Sequence, residues 1–167
     1  MAKKSTIILT DQEIKHKIKR IAYEIYENNV EEKEIILAGI AENGYLLAKK
    51  LKIELSKISQ LTPVLCKVEI DKKKPRNTIK TSLNKINYTD KSIVLIDDVL
   101  NSGTTLIYVV KHFIEVPLKR FKTAVLVDRN HKKYPVKADF KGISLSTSLN
   151  EHISVNFNNN KFEAVLK

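Results

Sequence analysis

Two acids stand side by side at Asp97-Asp98, and after two apolar residues comes Asn101-Ser102-Gly103-Thr104-Thr105. A turn of that composition running into a helix presents backbone N–H groups with the helix dipole behind them, an anion cradle to which Ser102, Thr104 and Thr105 add hydroxyl donors. Gly103 lets the backbone approach its ligand closely. A dianionic phosphate suits such a turn. The two carboxylates cannot serve that same phosphate, because like charges repel. They must face a neutral or cationic part of the ligand: sugar hydroxyls, Mg²⁺, or a carbon centre that becomes cationic during reaction. The plain alternative is a solvated acid pair ending a strand, followed by an ordinary helix cap. For the acid pair alone that alternative would win. The apolar strand, the pair and the cap-like turn together favour a ligand.

Two further loops leave the carboxyl ends of strands, where open α/β sheets bind their ligands. One is Gly39-Ile40-Ala41-Glu42-Asn43-Gly44 and the other Asp128-Arg129-Asn130-His131. His131 faces the ligand side with no role assigned. His112 and His152 read as structural or surface residues.

The elements that must position these loops follow from hydrophobic period. Thr10-Asp11-Gln12-Glu13 has the capping-box spacing, and Ile14, Ile18, Ile21, Ala22, Ile25 and Tyr26 recur behind it at helical intervals, so a first helix runs over 11–29. "EIILAGI" is a buried strand. "NGYLLAKKLKIELSKI" is a second helix with Leu46, Leu47 and Leu51 inward, and "TPVLCKVEI" a second strand. Residues 71–90 lose apolar periodicity and hold Lys72, Lys73, Lys74, Arg76, Lys80 and Lys85 around Pro75; they read as a flexible excursion with room for a hairpin. "SIVLID", "SGTTLIYVVKHFIE" and "KTAVLVD" are strand, helix and strand, with Pro117 closing the helix. The alternation predicts an α/β fold, a mostly parallel sheet with right-handed crossovers. Beyond Asp128, "KADFKGISLS", "EHISVNF" and "KFEAVLK" are short strands without helices. They predict a small C-terminal β subdomain over 129–167 with a turn at "FNNNKF". One domain spans residues 1–167.

Composition narrows the partners. The net charge of +11 points to polyanions such as nucleic acid or phosphorylated metabolites, or else to general solubility. The single cysteine, Cys66, lies in an apolar strand, which rules out an intramolecular disulfide and a cysteine metal site. The apolar run at Ile7–Leu9 is too short for a secretion signal, and no stretch is long enough to cross a membrane. A cytoplasmic location is expected.

The stretch "SIVLIDDVLNSGTTL" resembles the phosphoribosyl diphosphate motif of the type I phosphoribosyltransferases. "DQEIKHKIKRIAYEIYENN", "LAGIAENGYLLAKKL" and "TAVLVDRNHKKYPVKADFKGISLSTS" are similar to one branch, the bifunctional pyrimidine operon attenuation proteins and uracil phosphoribosyltransferases. The resemblance covers nearly the whole chain. It implies the type I phosphoribosyltransferase fold, with residues 129–167 as a hood over the base, the first helix nearby, and 71–90 closing over the site. It implies that Asp97 and Asp98 contact the ribose hydroxyls, that Asn101, Ser102, Gly103, Thr104 and Thr105 hold the 5-phosphate, and that Ile40, Ala41, Glu42 and Asn43 meet the diphosphate, where relatives carry a non-proline cis peptide. Residues that bind the base are not assigned. Mg²⁺ is implied on the diphosphate, with no direct protein ligand. RNA binding is implied at His16, Lys19, Arg20, Tyr23, Lys132 and Lys137, where a solvated basic face is the alternative. Homodimers or homotetramers are implied as well.

Three departures stand out. Glu42-Asn43 replace the branch's usual Thr-Arg. Asn101 stands where the branch has Tyr and some relatives a general base, and an amide takes no proton at neutral pH. Asp71-Lys72-Lys73-Lys74 replace the usual Arg-Asp-Asp. The function expected is transfer of ribose 5-phosphate to a pyrimidine, uracil foremost. The competing expectations are a nucleotide-sensing RNA regulator with little catalysis, and a purine transferase.

Overall fold

The computed structural model describes residues 5–158 and 161–167. Thr10 caps the first helix, α1 (Asp11–Glu27): its backbone N–H donates to the Glu13 carboxylate at 2.8 Å, and Glu13 N–H donates back to Thr10 Oγ1. The helix ends two residues before the expected Asn29.

Among the described residues, nine strands and four helices follow the order β1 (Thr6–Leu9), α1, β2 (Glu34–Ile40), α2 (Asn43–Ile58), β3 (Thr62–Glu69), β4 (Lys80–Thr81), α3 (Lys85–Tyr88), β5 (Ser92–Leu100), α4 (Thr104–Phe113), β6 (Arg120–Arg129), β7 (Phe140–Leu145), β8 (Ile153–Asn156) and β9 (Glu163–Leu166). The main sheet has the order β4-β3-β2-β5-β6-β7, with β2, β3, β5, β6 and β7 parallel and β4 antiparallel at the edge. The period-two alternation of the strands sorts their side chains between two cores. Ile35, Leu37, Val94 and Ile96 pack under α1 and α2. Ile36, Ala38, Ile93 and Leu95 pack under α4 and Tyr88 on the opposite face. Cys66 is buried in the second core, as expected.

The chain runs from β2 outward to β3 in one direction, and from β5 outward to β6 and β7 in the other. The gap between the β2 and β5 ends is therefore the switch point of the sheet, where a crevice must open.

The tail differs from its expected form. "KADFKGISLS" was expected in the C-terminal subdomain; instead β7 extends the main sheet, parallel to β6, with Val127 opposite Ile143. The small sheet is β1-β9-β8, and its third strand comes from the other end of the chain. Ile7 pairs with Val165 and buries Leu9 in the core below. The four-residue β1 is too short for its period to announce a strand. The expected turn at "FNNNKF" includes residues 159–160, which lie outside the described residues; β8 and β9 on either side of them pair antiparallel. Leu46, expected inward, is only partly buried, whereas Leu47 and Leu51 are fully so.

In the 71–90 stretch, residues 80–81 pair with β3, and Tyr88 is buried with its ring edge-on to Phe113 at 5.0 Å. Residues 71–79 are the longest run of that stretch without strand or helix, and there Asp71 Oδ1 accepts the Lys73 and Lys74 N–H groups.

Candidate active site

β5 carries Asp97 and Asp98 to the carboxyl edge of the sheet, one step beyond the Gly39–Ile96 pairing that marks the switch point. Successive strand residues face opposite ways, so the two acids have different surroundings. Asp97 is 5% exposed and its Oδ1 accepts only the neighbouring Asp98 N–H. Burial first, and the charge of Asp98 second, push the Asp97 carboxyl up to about 8 against the pull of Lys72. Asp98 is half-buried, and its Oδ2 accepts a hydrogen bond from Asn43 Nδ2 at 2.9 Å. The same amide nitrogen donates to the Val155 carbonyl on β8 at 3.0 Å, so Asn43 ties the acid pair to the small sheet.

After β5 the chain turns through Asn101–Gly103 into α4. Gly103 has φ 83°, a left-handed conformation that L side chains rarely adopt, and a Cβ there would lie 2.4 Å from Val136 Cγ2. The Ser102 and Thr104 hydroxyls lie 2.9 Å apart, and the carbonyl of Ser102 accepts the Lys133 and Tyr134 N–H groups. The loop after β6 thus backs the turn from behind. The first amides of α4 have no helical acceptor, and that of Thr104 donates to Ser102 Oγ at 3.3 Å. A cavity of about 260 Å³ lies there, lined by Asp97, Asn101, Ser102, Gly103, Thr104, Thr105 and Lys72 among others. One acid, the whole expected phosphate turn and one lysine of the 71–79 segment therefore meet in a single cavity.

The β2–α2 loop leaves the strand on the other side of the switch point. The Ala41–Glu42 peptide is cis. Glu42, which would oppose a diphosphate, has its side chain 79% exposed and 3.4 Å from Lys67 Nζ. Gly44 brings α2 against β5.

The basic candidates fall in several places. His16 and Lys19 line a groove between α1 and α2 together with Lys50 and Phe162. Tyr23 is 46% exposed. Arg20 is tied to Glu24 and to the carbonyls of Lys141 and Gly142, so α1 abuts β7. Lys132 sits 3.2 Å from Asp128, and Lys137 3.4 Å from Asp139. The structure does not gather these six into one pocket.

Sequence reading missed what Arg129 does. Its guanidinium, buried at the end of β6, donates to Asn101 Oδ1 at 3.0 Å, Thr147 Oγ1 at 2.9 Å, and the carbonyls of Ser148 and Glu151. The only available signal was an arginine in a loop already marked as ligand-facing. His131 Nε2 contacts the Thr147 carbonyl of the same loop. No group of three or more His, Cys, Asp or Glu side chains among the described residues could hold a metal ion. An acid pair whose buried member is pushed toward neutrality does suit a cation that arrives with its ligand.

A turn leading into a helix N-terminus, an acid pair and the β2–α2 loop stand together at the switch point of a parallel sheet. The chain belongs to the phosphoribosyltransferases: the phosphoribosyl transferase domain model matches residues 4–159. Among curated proteins it is similar to the Bifunctional protein PyrR of Streptococcus pneumoniae strains CGSP14 and TIGR4. These are 35% identical over 158 residues, covering 91% of this chain and 90% of theirs. Among solved structures it is similar to the hypoxanthine phosphoribosyltransferase of Trypanosoma cruzi (TM-score 0.77, 14% identity, 95% of each chain covered). It is also similar to a hypoxanthine-guanine phosphoribosyltransferase of Bacillus anthracis (TM-score 0.75, 18% identity, 95% of this chain and 96% of that one). At those identities the likeness shows the type I fold alone. No helix among the described residues is long and apolar enough to cross a membrane.

Proposed function

We propose that the protein transfers ribose 5-phosphate from phosphoribosyl diphosphate to uracil, and that it also binds RNA. The observation that carries the transferase reading is the shared cavity of Asp97 and the 101–105 turn, with Asp98 beside it on β5. In this reading the turn holds the 5-phosphate, the two acids contact the ribose hydroxyls, and residues 40–43 meet the diphosphate. The bond from ribose C1 to the diphosphate oxygen breaks, the bond from C1 to the uracil nitrogen forms, diphosphate leaves, and the base loses its N–H proton. Positive charge develops on the ribose in between, and fixed carboxylates beneath it stabilise that charge without reorganising. Mg²⁺ arriving with the donor would supply charge neutralisation for the leaving diphosphate, and Asp97 and Asp98 would be the acids beside it.

The departures from the family pattern fit this reading. Glu42 is paired with Lys67, Asn43 holds Asp98, and Lys72 already lines the donor cavity. Residues 71–79 are the part of the basic stretch free to close over the donor. The reading places the protein in the cytoplasm, with two or four copies per assembly.

Diphosphate release tests it directly. With donor and Mg²⁺ present, uracil should support release at least about tenfold faster than orotate, hypoxanthine or guanine, a pocket discrimination worth about 1.4 kcal/mol. Faster release with either purine would move the protein to the purine transferases.

The RNA role rests on the exposed basic side of α1 and on the likeness to the PyrR relatives, whose name calls them bifunctional. Lys19 and Tyr23 are the residues to change, because Arg20 is engaged in holding β7. Tyr23→Ala should weaken binding to a pyrimidine-operon leader roughly tenfold without altering its salt slope, since stacking is worth about 1–3 kcal/mol per base and is not ionic. Lys19→Glu should make binding less salt-dependent by about one phosphate contact. Both variants should release diphosphate at the wild-type rate. Leader binding unchanged in both at ~50 mM salt removes α1 from the RNA surface.

A further inference from the structure

The geometry points to Arg129 as a positioning residue that aims Asn101 into the donor cavity and joins the grip on the phosphate to the grip on the base. This rests on the transferase reading above and goes beyond it.

A guanidinium only 7% exposed is costly to bury unless its donors are satisfied. Arg129 satisfies them with four hydrogen bonds, none to a carboxylate. The carboxylate nearest in sequence among its partners, that of Glu151, accepts the Ser148 N–H at 2.6 Å instead. The cation is therefore not half of a buried ion pair. Its bonds run in two directions.

The first direction is Asn101. Arginine can only donate, so the Asn101 oxygen must face it. The orientation of the amide is thereby settled by chemistry, and its NH₂ is left for other partners. Asn101 also lines the cavity of Asp97 and Lys72. A ligand entering there meets an N–H donor, polarised by a positive charge one residue behind it. Asn101 thus recognises an acceptor oxygen and does not act as a base.

The second direction is the segment 147–151 between β7 and β8, held through Thr147, Ser148 and Glu151. Asn130 Nδ2 adds a 2.8 Å bond to Ser146 at its start. This segment belongs to the hood side of the site, where the base must enter. One side chain consequently spans the phosphate turn and the hood loop. Ordering of either end favours ordering of the other, and such coupling is reciprocal by linkage.

The test measures uracil binding by calorimetry with and without ribose 5-phosphate, which needs no turnover. In the wild type ribose 5-phosphate should tighten uracil binding about tenfold, a typical coupling. In Arg129→Met, and in Asn101→Ala, which leaves the hood loop bonded to Arg129, that factor should fall to about one. Melting temperature and circular dichroism establish that each variant is folded; should Arg129→Met fail to fold, Asn101→Ala decides alone. In kcat/KM for uracil, Arg129→Lys and Asn101→Ala should each lose about tenfold, and the double variant no more than the worse single, because both cut one link. Retained coupling in a folded variant, or losses that multiply in the double variant, overturn the proposal. A wild type that releases no diphosphate with any base overturns the transferase reading, and the binding cycle still decides the coupling.

Discussion

Asp98→Asn is expected to lower turnover about a hundredfold, the effect of losing roughly 3 kcal/mol of transition-state stabilisation, and to leave the fold intact. Asn retains a carbonyl oxygen for the Val99 N–H that Asp98 Oδ1 accepts, and the site is half-buried. What disappears is the negative charge proposed to face the ribose, together with the oxygen that accepts from Asn43 Nδ2. Asp97→Asn should cost at least as much activity and carry a second signature, in stability. The Asp97 carboxyl is pushed up to about 8 by burial and by Asp98, whereas an unfolded aspartate titrates near 3.9. Between those values the folded chain binds one proton that the unfolded chain does not. Stability therefore falls as pH rises across the window, by about 1.4 kcal/mol per pH unit at most, and levels off above about 8. Asn carries no such proton. Asp97→Asn should accordingly melt higher than the wild type at pH 8 and show a flatter melting profile between pH 4 and 8. The kcat/KM for the donor should rise through about pH 8 in the wild type as the carboxylate forms, a limb absent from the variant. Wild-type turnover in both variants would remove the acid pair from the mechanism, and an unchanged melting profile in Asp97→Asn would remove the protonated aspartate.

Gly44→Ala should damage the same acid through the backbone. A Cβ at Gly44 would lie 2.5 Å from the Ile96 carbonyl oxygen, 3.1 Å from Asp97 Cα and 3.2 Å from Asp97 Oδ1. None of these can step aside cheaply, because Ile96 and Asp97 sit within a strand paired on both sides. The start of α2 must therefore move away from β5. Overpacking of this kind costs about 1–3 kcal/mol, read as a melting temperature lower by roughly 5 °C in a chain of this length. The displaced segment also carries residues 40–43, so KM for the donor should rise about tenfold, as for a binding loss near 1.4 kcal/mol. KM for uracil should change less, since the hood is held from β6. A variant with the melting temperature and donor KM of the wild type would show that α2 and β5 are not locked at this point.

The acid pair and its turn were legible because everything that defines them is local. The residues from Asn101 to Thr105 set the direction of the turn, and the strand before it has the apolar content of a buried element. Alternation along β2 and β5 sorted residues between the two cores, and the capping box placed the start of α1 at Asp11. Other features had no local trace. β1 carries too few residues for a period, and its partner lies at the far end of the chain. The β7 stretch reads as hood by position, yet its register with β6 puts it in the main sheet.

What the sequence by itself determined is the class of fold and the strand-end turn beside the acid pair, since period, cap and turn act over a few residues. Tertiary structure alone decided the partners of each departing residue. Asn43 reaches Asp98 across 55 positions and Val155 across 112, and Arg129 reaches Asn101 across 28. It also decided that burial and the neighbouring Asp98 push the Asp97 carboxyl up to about 8. Burial and charge coupling depend on distances in space, and neighbours brought together by a sheet's switch point leave no repeat in the sequence that could announce them.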